Sequence, residues 1–263
     1  MQLPPVVAAL SARLSQIGFE RTRRAIAALS LSLFFSLYLM MSLNAPEGFG
    51  RVFLALSFCY GVAFVAVVAE WFWGRWFASG LAWSGIMIAI AALVVVGWIP
   101  ALAIFGVLHF LVVMSLMGKK MAARYDLQEA WREKYKMDDF GVARLQKTVT
   151  RSAASLPSLI IWALGPKEEG MAAVGALAAL VLAVAGLRGL TRLRSWGVVA
   201  LAGAGVLVAS LGDVTRVAFT SLDCDCQALS YLQTASPTVA LVLLAAAVVP
   251  FTGPIARYLS RRA

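Results

Sequence analysis

Apolar residues fill this chain in long unbroken runs rather than in alternation. Eight runs stand out: 25–43, 51–70, 77–96, 98–117, 149–165, 170–187, 195–212 and 237–256. Runs of about 20 residues suit helices crossing a hydrocarbon layer about 30 Å thick, whereas the strands of a membrane barrel alternate in polarity. Unpaired backbone groups cost several kcal/mol in hydrocarbon, so helices that pair their own backbone are the expected solution. The fold class is therefore an all-α polytopic membrane protein with eight transmembrane helices. The fifth run is the weakest: between Ser152 and Gly165 it has only 14 uncharged residues, so it must borrow Val149 and let Arg151 snorkel to the headgroups. Pro100, Pro157 and Pro250 are read as lying near helix ends.

Composition agrees with that pattern. The chain is 61% hydrophobic and 14% charged, against roughly 25% charged in soluble domains, and its mean hydropathy is +0.83. The formal charge of +10 reads as topology and contact with anionic lipid, not as nucleic-acid binding. With eight crossings and a cytoplasmic N-terminus, only Arg51, Lys167 and Arg216 of the 23 Lys and Arg fall outside. Removing the fifth crossing would place Arg188, Arg192, Arg194, Arg257, Arg261 and Arg262 outside instead. The positive-inside rule thus favours eight helices in an inner (plasma) membrane with both termini cytoplasmic. Trp71, Trp73, Trp76, Trp98, Trp162 and Trp196 fall near predicted ends, where an aromatic belt belongs.

Five segments follow. Residues 1–24 form an interfacial helix, with Pro4 and Pro5 at its start and Val6, Leu10, Leu14 and Ile17 on one face. Residues 25–117 hold helices one to four, 118–151 a cytoplasmic amphipathic hairpin, 152–256 helices five to eight, and 257–263 a basic tail. Offsets suggest a 4 + 4 parallel repeat. A shift of 126 pairs Thr22 with Thr148 and Ser32-Leu33 with Ser158-Leu159, and one of 120 pairs Trp76 with Trp196 and Gly85 with Gly205.

The central stretch "KKMAARYDLQEAWREKYKMDDFGVARLQKTVTR" holds nine of the 23 basic residues. Met117, Met121, Tyr125, Gln128, Trp131 and Tyr135 recur at spacings of three and four in a helix from Lys119 to Met137, which gives one aromatic face suited to lipid or to a protein partner, with Arg132 and Lys134 as its cations. "MDDFG" interrupts this helix. Asp138 or Asp139 then caps a second one, in which Val142, Leu145 and Val149 share a face running into helix five.

Candidate chemistry is sparse. Glu70 closes the second helix within reach of Arg75, as an interfacial ion pair or a coupling carboxylate. His109, the one histidine, sits midway along the fourth helix; a lone imidazole rules against multi-histidine metal or heme sites and suits a hydrogen bond between helices. Asp223, Cys224, Asp225 and Cys226 make a weak metal or redox candidate, lacking the spacing of a structural zinc site. Cys59 reads as a small buried hydrophobe. No phosphate loop, nucleophile elbow or HExxH is present, and no cofactor is implied. The first functional expectation is a non-enzymatic membrane protein that tethers a partner through the hairpin, touching anionic headgroups at the inner face. The alternatives are a small-molecule transporter or channel with a site between the two four-helix halves, and a membrane enzyme acting on lipid or isoprenoid.

Overall fold

The computed structural model describes residues 18–46, 48–126, 128, 133, 138–166, 170–212 and 227–260. Among them every element is a helix: α1 Phe19–Asn44, α2 Gly50–Val68, α3 Gly74–Val96, α4 Pro100–Leu116, α5 Lys119–Tyr125, α6 Asp139–Leu164, α7 Met171–Thr191, α8 Trp196–Leu211 and α9 Gln227–Ser260. Local chemistry sets the breaks. Gly18, Gly97 and Gly118 take positive φ beside α1, α3 and α5. Pro100 opens α4 at a position where its missing N–H costs nothing. The Asp138 side chain accepts from the Gly141 N–H at 2.7 Å and caps α6.

Each apolar run falls on a helix of its own, α1 to α4 and α6 to α9. α1, α2, α3, α7 and the 234–253 part of α9 are each long and apolar enough to cross a membrane, and α4 with α5, bent by 76°, makes a sixth as one broken span. This is the build of a multi-pass membrane protein. α8 is short, and α6 is not apolar enough to qualify by hydropathy. Nevertheless α6 runs the full height of the bundle. Thr148, in its first half, donates to Ala247 of α9, and Pro166 just beyond its end lies so close to Gly48 that a Cβ there would stand 2.8 Å from the ring.

Helices α1 to α4 close one ring of contacts, α1–α2–α3–α4–α1, and α6 to α9 close another in the same order. The halves meet where α6 packs on α3 and, less closely, on α2, while no comparable seam joins α1 to α8. At the α3–α6 crossing Gly80 admits the backbone of its neighbour, since a Cβ would stand 2.2 Å from the Thr150 carbonyl oxygen. The helix that reads as the weakest span is therefore the innermost one. Thr148, Ser152, Ser155 and Ser158 are buried between helices, so they lower its hydropathy without meeting lipid.

Several expectations need correction. Pro157 and Pro250 lie inside α6 and α9, not near helix ends. Arg151 does not simply snorkel: it donates through Nη1 to the Ala246 carbonyl at 2.6 Å. Ala246 is four residues before Pro250, so its carbonyl is the one that loses a partner to proline's missing N–H. Trp76 and Trp162 belong to the core, being 1% and 6% exposed, whereas Trp71, Trp98 and Trp196 remain on the surface. The helix expected to continue to Met137 is described from Lys119 to Tyr125. The start of the second limb does match: Val142, Leu145 and Val149 are all buried on α6.

Candidate functional site

The charge-rich end of the bundle is locked by side chains. Arg23 on α1 donates to the carbonyls of Met114, at 2.6 Å, and Met117, where α4 ends. Glu70 takes a left-handed backbone, φ 54°, after α2, and its carboxylate pairs with Arg24 and, at 2.7 Å, with Arg124. Gln128 donates to the Glu70 carbonyl at 2.9 Å, and the Tyr125 hydroxyl to that of Val67 at 2.8 Å. The expected Glu70–Arg75 pair is not formed. Arg75 turns inward to Asp126, with Nε 3.1 Å from Oδ1 and Nη2 on Oδ2, both residues being buried.

Met121 and Tyr125 are likewise buried against this chain's own helices, 1% and 0% exposed. Trp131, Arg132, Lys134 and Tyr135 lie outside the described residues, as do Asp223, Cys224, Asp225 and Cys226. Among the described residues no three metal-binding side chains come together.

His109 lies inside the first half. Its Nδ1 is 2.8 Å from the Phe105 carbonyl, which can only accept, so Nδ1 carries a proton; in the neutral ring Nε2 then accepts from the Tyr60 hydroxyl at 2.7 Å. Phe34 stacks on the imidazole at 3.8 Å between centroids. Gly85 makes the space, because a Cβ there would stand 2.1 Å from the ring. Every polar atom of the imidazole is satisfied by the protein and the residue is fully buried, as suits an interhelical hydrogen bond.

A large cleft lies between the halves. α6 packs against α3 and α9, and α2 and α7 stand apart on either side of it, which leaves a cleft of about 1070 Å³. This exceeds the usual upper size of a small-molecule pocket, about 1,000 Å³. Leu156 and Ile160 of α6 and Phe77 of α3 form its floor, Leu54, Phe58 and Val62 of α2 one wall, and Leu180, Val184 and Leu187 of α7 the other. Phe58, Leu54 and Val184 are 71%, 55% and 49% exposed, so the cleft opens sideways at the bundle surface. Apart from Ser57 and Thr191, its polar lining is three arginines: Arg51 at the start of α2, and Arg188 and Arg192 at the end of α7. Arg51 and Val68 bound about 26 Å of helix, so the cleft covers most of a bilayer core. A second apolar hollow of about 640 Å³ adjoins it, sharing Phe35, Phe58, Val62 and Trp71.

Sequence reasoning placed Trp71 and Trp73 in an aromatic belt and used the arginines only for topology, and it did not single out the aliphatic and phenylalanine lining. Phe58 and Leu180 look like ordinary lipid-facing positions. The available signal was the pair Arg188 and Arg192, one turn apart at the end of an apolar run. Cys59, read as a buried hydrophobe, lines the cleft wall. No protein-family model, curated protein or solved structure matches the chain, so the functional argument rests on the bundle and its cleft.

Proposed function

We propose that this is a multi-pass membrane protein that binds an amphiphile, without chemically changing it, in the cleft between its two four-helix halves. The observation that carries the reading is the cleft itself: an apolar trough open to the side, where the hydrocarbon of a membrane lies, with cations toward each end and neither carboxylate nor imidazole in its lining. A small polar solute would find little to replace its hydration there. A hydrocarbon chain gains contacts along the whole wall. The cleft is long enough to pass the midplane, which suits a carrier that admits lipid from either leaflet. The equivalent ring order within the halves supports a 4 + 4 organisation with the site at the joint, and the concentration of Lys and Arg at one end supports eight crossings with that end cytoplasmic.

Tethering of a protein partner through the central segment is the weaker reading. Its aromatic face has Met121 and Tyr125 turned into the bundle, which leaves the residues beyond Gln128 to carry it.

A phospholipid bearing a diazirine at mid-chain tests the proposal on the full chain in a bilayer. Adducts concentrated on Phe58, Leu180 and Val184 are expected. Adducts spread evenly over outward-facing positions such as Val94 and Phe110 would mean that lipid forms only an ordinary annulus.

A further inference from the structure

The cleft is framed at its Trp71 and Arg192 end by two turns of the same construction. α2 ends with Glu70 in the left-handed region, where the N–H of Trp71 returns to the Ala66 carbonyl and that of Glu70 to Val67. α7 ends with Leu193 in the left-handed region, where the N–H of Arg194 returns to Gly189 and that of Leu193 to Leu190. Both are Schellman endings made without the usual glycine. A Trp-Gly pair follows each, Trp73-Gly74 and Trp196-Gly197, and each glycine lies against the backbone of the preceding helix. The offset of 123 between these turns differs from the 120 suggested by Trp76 and Trp196.

The two turns differ in charge. The first carries Glu70, and its cations are matched: Arg24 and Arg124 on Glu70, Arg75 on Asp126. The second presents Arg188 and Arg192, and among the described residues neither guanidinium has a carboxylate or a hydrogen-bond partner. A helix C-terminus favours cations in any protein. That preference does not explain why these two line the cleft, opposite the Trp71–Trp73 pair whose rings are 5.2 Å apart. Four residues apart, they stand on one face about 6 Å apart along the helix, a span that one phosphate can bridge with charge-assisted hydrogen bonds. Tryptophans at the same level suit a headgroup boundary.

On the reading that the cleft holds an amphiphile, we infer that the amphiphile is an anionic phospholipid whose phosphate head lies at Arg188 and Arg192 and whose chain runs along α2 toward Phe58. The cations of the first turn are matched, whereas this pair is open and continuous with an apolar trough of chain length. Among the described residues lining the cleft, Arg51 at the other end has no second cation and no tryptophan beside it.

Native mass spectrometry of the full chain in detergent tests this, titrating an equimolar mixture of phosphatidylglycerol and phosphatidylcholine with identical chains. Wild type is expected to retain phosphatidylglycerol preferentially. The R188Q/R192Q double variant is expected to lose that preference by roughly thirtyfold, while still retaining lipid. Arg188→Lys with Arg192→Lys should keep it, and Arg21→Gln, at an exposed cation of α1 outside the cleft, should leave it unchanged. Retention without headgroup preference in wild type, persistence of the preference in R188Q/R192Q, or its loss in Arg21→Gln would each overturn the inference while leaving a lipid-filled cleft intact. Failure of wild type to retain any lipid would remove the cleft reading itself.

Discussion

Arg151 and Pro250 form a pair whose energies can be separated. Pro250 withholds the N–H that the Ala246 carbonyl would otherwise receive, and the Arg151 guanidinium supplies a donor at 2.6 Å from the neighbouring helix. A hydrogen bond from a charged donor contributes about 1.5–3 kcal/mol, and a carbonyl left unpaired costs about 1–3 kcal/mol. Interhelical hydrogen bonds inside membranes fall lower, to at most about 1.7 kcal/mol in measured cycles. Arg151→Met should therefore destabilise the protein by roughly 1.5–2 kcal/mol. Pro250→Ala restores the helix N–H and makes the guanidinium redundant, so in that background Arg151→Met should cost about 0.5 kcal/mol. The expected coupling is thus about 1–1.5 kcal/mol, read as reversible unfolding of the four proteins of the cycle in bicelles. Arg151→Lys, which can still donate, should recover part of it in the Pro250 background only. Additive single-mutant effects would show that Arg151 does not serve the proline-orphaned carbonyl.

Three further outcomes follow from contacts at other sites. Asp126→Ala leaves the buried Arg75 guanidinium uncompensated and should cost about 3–5 kcal/mol in thermal or denaturant unfolding, while replacing both residues with apolar ones of similar volume should recover most of that. Gly85→Ala drives a methyl into the His109 ring and should cost about 1–3 kcal/mol; unchanged stability would mean that α3 and α4 are not in contact there. Gly80→Val forces α3 from α6 at the Thr150 backbone, with a loss in the same range, about 1–3 kcal/mol, and should loosen the seam between halves, detectable as a widened α3–α6 distance between spin labels.

Much of the fold was legible because its causes are local. The apolar runs, the Asp138 cap and the Val142–Leu145–Val149 face each depend on residues within one or two turns, and each has its counterpart in the structure. What failed depended on which helices become neighbours. Glu70 and Arg75 are close in sequence, but Arg24 arrives from α1, Arg124 from α5 and Asp126 from beyond α5, and together they outcompete the nearest partner. Trp76 was placed in a belt by its position at a helix end, although its rotation about the helix axis turns it into the core. Pro250 was read as lying near a helix end, and that its orphaned carbonyl takes a donor from Arg151 needed the α6–α9 packing. The cleft was the least legible feature, because a residue lining a lateral trough and one facing bulk lipid have the same composition, and only the separation of α2 from α7 distinguishes them.

The central claim is that lipid occupies this trough specifically. Its most direct test is the number of lipids that stay with the full chain through detergent purification, counted by native mass spectrometry. Wild type and an outward-facing control, Val94→Trp, are compared with Ala55→Trp combined with Val184→Trp, which fills the trough between α2 and α7. Retained lipid in wild type and the control, with loss of one or more lipids only in the filled variant, is the predicted result. Equal retention in all three would contradict the account.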